Sequence, residues 1–342
     1  MPACEGAAHG NFVPKLPSVA PQRPIYGLLS GPVGAIWPTR RARQLHRPRS
    51  GSGLVAALLA ALLVSGCGSG STETAADPSG SPVPSAAGPV PRPDHVLIVV
   101  FENAGYEQAV GNAGVPYLTS LAHAGANFTN AHGERHPSQP NYIALLSGST
   151  HGVTDDSCPQ QLGNQPNLAR QLLDSGRSFV GYSEDLPGVG FTGCASPDGG
   201  YARKHNPWVD FTNIPANANL PLSALPTDFA ALPTVAAVIP NLCNDMHDCS
   251  VDTGDAWARQ HLSAYLDWAR THNSLLIVTF DEDDDTAANH IPPVFVGPMV
   301  RSGDVADYIN HYTILRTIED MYQLPPLGAA AATPPVTGIW AP

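Results

Sequence analysis

The sequence predicts an α/β domain of three layers, with a mostly parallel central sheet flanked by helices. Three observations carry the prediction. His95–Phe101 and Leu275–Phe280 are almost wholly apolar runs, the mark of strands buried on both faces in a parallel sheet. Segments of helical character alternate with shorter apolar stretches between and beyond them, the arrangement of βαβ units. No internal repeat of fixed period is visible.

Residues 1–67 precede this pattern and differ from it in charge. They hold seven of the chain's 17 basic groups (Lys15, Arg23, Arg40, Arg41, Arg43, Arg47 and Arg49) and one of its 29 acids, Glu5. The remainder therefore carries ten basic against 28 acidic residues, a net charge of −18. A body of that sign repels a nucleic-acid backbone, so nucleic-acid binding is not expected. The basic stretch Arg40–Arg49 leads into Leu54–Val64, an apolar run too short to span a bilayer but suited to a signal-peptide core. Leu63-Val-Ser-Gly-Cys67 follows and resembles the bacterial lipobox, in which the cysteine is acylated; ordinary cleavage to a free product is the alternative. The expectation is an exported chain, lipid-anchored at Cys67 and facing outside. Residues 68–92 are rich in Gly, Ser, Pro and Ala and form a flexible tether, leaving 93–342 as the folded domain.

Within that domain strands are predicted at His95–Phe101, Ser178–Tyr182, Thr234–Ile239, Leu275–Phe280 and Pro293–Val296. Helices are predicted at Pro116–Ala124, Asn141–Leu146, Leu168–Asp174, Asp255–Thr271 and Tyr312–Tyr322. Export favours disulfides, and four cysteines remain after Cys4 and Cys67 are set aside. Of three pairings, Cys243–Cys249 closes a short loop and leaves Cys158–Cys194. A cysteine metal site is the rival, but no CxxC spacing supports it.

In an open parallel sheet ligands gather beyond the carboxyl ends of the strands. Both strong strands end in acids there: Glu102 with Asn103 after the first, Asp281 with Glu282 after the second. Carboxylates brought to one sheet edge repel one another unless a cation sits between them. All four groups offer oxygen, which favours calcium, magnesium or manganese over a tetrahedral zinc. Asp283–Asp285 are expected to be a solvated acidic loop.

Ser138, in His136-Pro-Ser-Gln-Pro-Asn-Tyr142, stands just before a predicted helix. Free backbone N–H groups there favour a phosphate or a developing oxyanion, and a cation beside the hydroxyl would make it a nucleophile. The plain alternative is a serine that only caps the helix. His136 and Asn141 offer polar contacts beside it. His205, His247 and His290 lie in polar, turn-prone segments where each could bind phosphate or move a proton, although a lone histidine is more often structural. Lys204 could neutralise a phosphate dianion.

These residues, with Phe101-Glu-Asn103, Lys204-His-Asn-Pro207, Asn244-Asp-Met-His-Asp248 and Thr279-Phe-Asp-Glu282, make the chain resemble the bacterial phosphoesterase family, from His95 to Tyr322. That family holds secreted acid phosphatases, phosphatidylinositol 3-phosphate phosphatases and phospholipase C relatives. The resemblance implies an alkaline-phosphatase-like fold and a divalent metal ion on Glu102, Asn103, Asp281 and Glu282. It implies Ser138 as the residue transiently phosphorylated, and gives weight to His205 and His247 as catalytic groups and to Asp248 as a substrate contact beside Lys204, Asn141, His136 and His290. Phospholipase relatives tend to follow the Asp-Glu pair with a glycine-rich, aromatic segment ending in Asp-His, whereas Asp283-Asp-Asp-Thr-Ala-Ala-Asn-His290 stands here, which favours the phosphatase branch. Sulfatases of the superfamily use a Cys or Ser-x-Pro-x-Arg pattern, but Tyr142 holds the arginine position. The expected activity is metal-dependent hydrolysis of phosphate monoesters at the cell surface. A phospholipase C-like phosphodiesterase and a non-catalytic metal-binding surface lipoprotein are the alternatives. Expected partners are the phosphate-ester substrate and the membrane, and the chain is expected to act as a monomer.

Overall fold

In the computed structural model, which describes residues 90–341, the apolar run His95–Phe101 is strand β1, buried between two parallel neighbours. The signal-like run, Cys67 and the tether up to residue 89 lie outside the described residues. After β1 come α1 (Tyr106–Ala109), α2 (Pro116–Ala124), β2 (Ala126–Phe128), β3 (Ala131–His132), α3 (Gln139–Ser147), α4 (Leu168–Asp174) and β4 (Phe179–Ser183). Then follow β5 (Asn219–Pro221), β6 (Val235–Ile239), α5 (Val251–Ala269), β7 (Ser274–Phe280), β8 (His290–Ile291), β9 (Val294–Val296), β10 (Gly303–Val305), β11 (Ile309–Asn310) and α6 (His311–Tyr322).

The main sheet has eight strands in the order β10-β2-β9-β7-β1-β6-β4-β5. Only β9 runs antiparallel, to both β7 and β2, so the α/β architecture with a mostly parallel sheet is the one found. Helices cover both faces because β1 presents apolar side chains to both. Phe101 meets Trp257 of α5 edge-on, with ring centroids 5.9 Å apart. Ile98 and Val100 close a small apolar cavity with Tyr142, Leu145 and Leu146 of α3. Among the described residues no helix is long and apolar enough to cross a membrane.

Helix α5 begins at Val251, four residues before the predicted Asp255, and α3 at Gln139 rather than Asn141. A small second sheet, β11-β3-β8, has strands of two residues each. Such pieces are too short to show periodicity, as are β2, β5, β10 and α1.

Among the described residues there are two disulfides, Cys158–Cys194 and Cys243–Cys249. Buried Arg203 reinforces the first. Its Nη1 donates to Thr192 O at 2.6 Å and its Nη2 to Gln160 O at 2.9 Å, while Nε and Nη2 both donate to Asp210 Oδ1. The segments carrying the two cysteines are thus fixed beside Lys204.

Candidate active site

The topology sets β1 beside β7 in register, Phe101 opposite Phe280, so the residues that follow each strand emerge together. The ladder continues one step further, with Asp281 N donating to Phe101 O at 3.0 Å. Glu102, Asp281 and Glu282 each offer one oxygen, and these lie within 4.8 Å of one another. All three side chains are buried.

Ser138 reaches this cluster from α3. Its backbone is the N-cap, but its hydroxyl caps nothing; Oγ lies 2.9 Å from Glu102 Oε2 and 3.0 Å from Glu282 Oε1. One hydroxyl has one proton. It satisfies one carboxylate, and the other oxygen contact requires a second proton or a cation nearby. The capping role weighed for Ser138 is therefore not the one its side chain plays.

Burial pushes the Asp281 carboxyl well above the ordinary carboxylate range, with the charges of Glu102 and Glu282 adding to it. Burial also raises Glu282, and Glu102 pushes the same way, against the pull of His136 and Ser138. Glu102 goes down: burial alone would raise it, but His205 holds it at about 2. His205 answers in kind, since burial disfavours its charge yet Glu102 and Asp245 raise it to about 9.

The donor set fits a hard divalent cation. Both Asp281 oxygens and Glu102 Oε1 are buried with no hydrogen-bond partner, a costly state for carboxylates unless an ion accepts them. His205 Nε2 stands 3.0 Å from Glu102 Oε1, at ion-pair distance without hydrogen-bond alignment. Glu102, His205 and His247 form a second group with ligand atoms within 4.8 Å. Three of the four imidazole nitrogens there are engaged, His205 Nδ1 with Asp245 Oδ2 at 3.1 Å, His247 Nδ1 with Asp248 Oδ1 at 2.7 Å and His247 Nε2 with Lys204 Nζ at 3.0 Å, which leaves only His205 Nε2 as a nitrogen ligand. The all-oxygen group is the better cation site. Asn103, in the left-handed region with φ 48°, turns the chain directly after Glu102.

The remaining predicted residues divide. His136 belongs to the cluster: Nδ1 bonds Glu282 Oε2 at 2.6 Å and Nε2 faces Thr286 O at 3.0 Å. Burial opposes its charge, but Thr286 and Glu282 outweigh it and raise its pKa, favouring the charged form that best orients Glu282. Asn141, expected as a substrate contact, is buried and its amide is taken up by the backbone beside it. Its amide accepts from Glu134 N and Arg135 N and donates to Arg135 O, folding the turn that presents Ser138. His290 stands apart from the cluster, stacked between Tyr106 and His132 with Nε2 on Thr129 O at 3.1 Å. The solvated loop expected at Asp283–Asp285 is found at Asp284 and Asp285 only; Asp283 is buried and accepts from Thr286 N and His290 N. Those bonds close the loop, which is why its carboxylate is not left to water.

Three residues join the site without having been singled out. Tyr142 stacks on His205, Asp245 bonds His205 and receives His247 N at 2.8 Å, and Asp156 receives Lys204 Nζ at 2.8 Å. Tyr142 and Asp245 lie inside the motifs quoted above; Asp156 carries no sequence signal beyond an Asp-Asp pair beside Cys158. Two large clefts, of about 660 and 520 Å³, flank α5 and contain none of these residues, so cleft size does not locate the chemistry.

The model of the Phosphoesterase family matches residues 111–325. The phosphatidylinositol-3-phosphatase of Mycobacterium tuberculosis is 50% identical over 257 residues, 75% of this chain and 85% of that one. An acid phosphatase of Aspergillus fumigatus is 30% identical over 286 residues, covering 75% of this chain and 63% of its own length. A phosphate-repressible acid phosphatase of Penicillium chrysogenum is 32% identical, with 69% of this chain and 60% of the fungal one covered. The chain thus spans less than two thirds of these fungal relatives. Among solved structures, a Vibrio parahaemolyticus protein of the alkaline phosphatase superfamily aligns with a TM-score of 0.54 at 12% identity, over 73% of this chain and 72% of that one. At that identity the likeness speaks for the fold alone.

Proposed function

The chain belongs to the Phosphoesterase family and is a phosphoric ester hydrolase, and from that premise we propose that it is an acid-phosphatase-type enzyme cleaving phosphate monoesters through a phosphoserine at Ser138. One observation carries the proposal. A buried hydroxyl at a helix N-terminus shares its position with two carboxylates of an oxygen-rich cluster. A serine with only a structural role has no use for that company.

A divalent cation on Glu102, Asn103, Asp281 and Glu282 would supply positive charge against the phosphoryl oxygens. The chain's own residues do the rest. The Ser138 proton passes to the Glu282 carboxylate as Oγ bonds to phosphorus and the ester P–O bond breaks. The departing oxygen takes a proton from the Lys204–His247 pair, in which Asp248 fixes the imidazole through Nδ1. Water then gives a proton back to that pair and attacks phosphorus. The P–Oγ bond breaks, and Ser138 recovers its proton from Glu282. Throughout, His205 keeps Glu102 ionised and His136 holds Glu282 in place.

The relatives' names support a monoester substrate, including a lipid phosphate. The signal-like run and Cys67 support export and lipid anchoring, and the two disulfides suit an oxidising compartment. The test is hydrolysis of p-nitrophenyl phosphate and bis-p-nitrophenyl phosphate by the purified protein, with and without chelator, beside Ser138→Ala. Monoester turnover that chelator and Ser138→Ala each reduce by at least about 10³-fold is expected for loss of nucleophile or cation. Turnover of the diester alone would replace the proposal with a phosphodiesterase, and activity surviving in Ser138→Ala would end it.

A further inference from the structure

We infer that the Asp156 carboxylate holds the two donors that receive the substrate's phosphoryl group and must be displaced by it; this rests on the phosphatase reading above. Two donors of that site are suited to phosphoryl oxygens. One is the backbone N–H of Gln139, the residue directly after the nucleophile, at the first turn of the nine-residue helix α3. The other is the Lys204 ammonium, 3.0 Å from His247 Nε2. Both already hold an anion. Gln139 N donates to Asp156 Oδ1 at 2.9 Å and Lys204 Nζ donates to Asp156 Oδ2 at 2.8 Å, so one carboxylate bridges them with its two oxygens.

The surroundings say why a carboxylate stands there. Ser138 occupies the N-cap position, but its hydroxyl is turned to Glu102 and Glu282, so α3 needs an acceptor from outside. Asp156 supplies it from a loop whose neighbours Thr154, Asp155 and Ser157 are exposed. Its own side chain keeps 27% of its surface in water, so it can leave without unpacking a core. Cys158–Cys194 tethers the loop two residues on, which keeps the carboxylate within reach after it leaves. An anion with two acceptor oxygens is thereby exchanged for another. The pairing keeps Lys204 charged and in position between turnovers, and the returning carboxylate competes with product phosphate.

The test is the affinity of inorganic phosphate for the full chain loaded with divalent cation, in wild type, Asp156→Asn and Asp156→Ala. It is measured as competitive inhibition of p-nitrophenyl phosphate hydrolysis and by calorimetry in a Ser138→Ala background, which needs no turnover. Displacement predicts phosphate binding roughly tenfold tighter in both variants, the order expected when a competitor with two charge-assisted contacts is weakened, together with a lower KM. A carboxylate that only caps α3 or steers Lys204 predicts unchanged or weaker binding, and that result overturns the inference. Hydrogen exchange of the wild-type chain guards against a folding defect in the variants: saturating phosphate should loosen residues 152–157, and tightening there would count against displacement. Absent turnover with tighter phosphate binding in the variants would sink the phosphatase reading while leaving the anion exchange standing.

Discussion

Replacing Asp281 by asparagine changes the charge of the carboxylate cluster while nearly preserving its shape, and the expected effect reverses sign with the cation. Three carboxylates with ligand atoms within 4.8 Å give three repulsive pairs. At an effective dielectric constant of about 20 and the outer separation of 4.8 Å, each pair costs about 3.5 kcal/mol if fully ionised, so Asp281→Asn would relieve about 7 kcal/mol or more from a fully ionised cluster. The metal-free protein escapes most of that by binding protons, as the raised pKa values of Asp281 and Glu282 show. The realised gain is therefore on the order of 1–2 kcal/mol, a Tm rise of roughly 2–8 °C for a domain of this size. The new amide also gives Glu102 or Glu282 a donor where Asp281 offered only orphaned oxygens. With cation at a hundred times its Kd, the wild-type chain gains about 2.7 kcal/mol, whereas the variant, short of one charged ligand, gains far less. Thermal melts in chelator and in millimolar Ca²⁺, Mg²⁺ or Mn²⁺ should accordingly cross: Asp281→Asn the more stable in chelator, wild type the more stable in one of the metals. A wild-type Tm indifferent to all three cations, or a variant less stable in chelator, would refute the reasoning.

Two further outcomes concern the frame that holds the site. Glu319 of α6 is fully buried, with Oε1 accepting from Leu327 N at 2.8 Å and Oε2 unpartnered, and burial raises its pKa from 4.5 to about 8. The folded state therefore binds the proton more tightly than the unfolded one; this stability is present below about pH 4.5 and is lost as pH climbs through 8. Glu319→Gln should nearly match wild type at pH 5 and exceed it by on the order of 3–4 kcal/mol at pH 8.5, read from urea unfolding at both pH values; parallel pH dependence in the two chains would show that Glu319 is not the group. Gly181 of β4 has Trp208 Cε2 2.1 Å from where a Cβ would sit. Gly181→Ala should cost about 1–3 kcal/mol through overpacking, and Trp208→Leu in the same chain should return part of it, whereas additive losses would exclude that contact as the cause.

The long elements were legible because their patterns are long. His95–Phe101, Pro116–Ala124 and Leu168–Asp174 have the bounds expected from sequence. The acids after β1 and β7 were readable because a parallel sheet delivers whatever follows its strands to one edge. The supporting contacts were not readable. Asn141 and Asp283 carry the polar signature of ligand groups, yet each spends its oxygens closing a local turn, a choice set by backbone geometry that spacing does not encode. His205 and Asp245 lie 40 residues apart and meet only because β6 ends beside β1, with Glu102 N donating to Asp245 O at 2.8 Å. Asp156 comes from a loop with no periodicity of its own.

The order of strands across the sheet has a consequence for the making of the protein. The strand that carries Glu102 lies between neighbours that end at residue 239 and residue 280, so it emerges early in synthesis and waits for most of the chain before either flank is filled. The acidic cluster is drawn from opposite ends of the domain and cannot assemble on any fragment that stops short of β7. Products that stop short of β7 would carry Ser138 and its helix but neither Asp281 nor Glu282, and on the mechanism proposed above would be inert toward phosphate esters. Assembly of the cluster thus waits on long-range contacts that close slowly, and no local segment of the chain can form it alone.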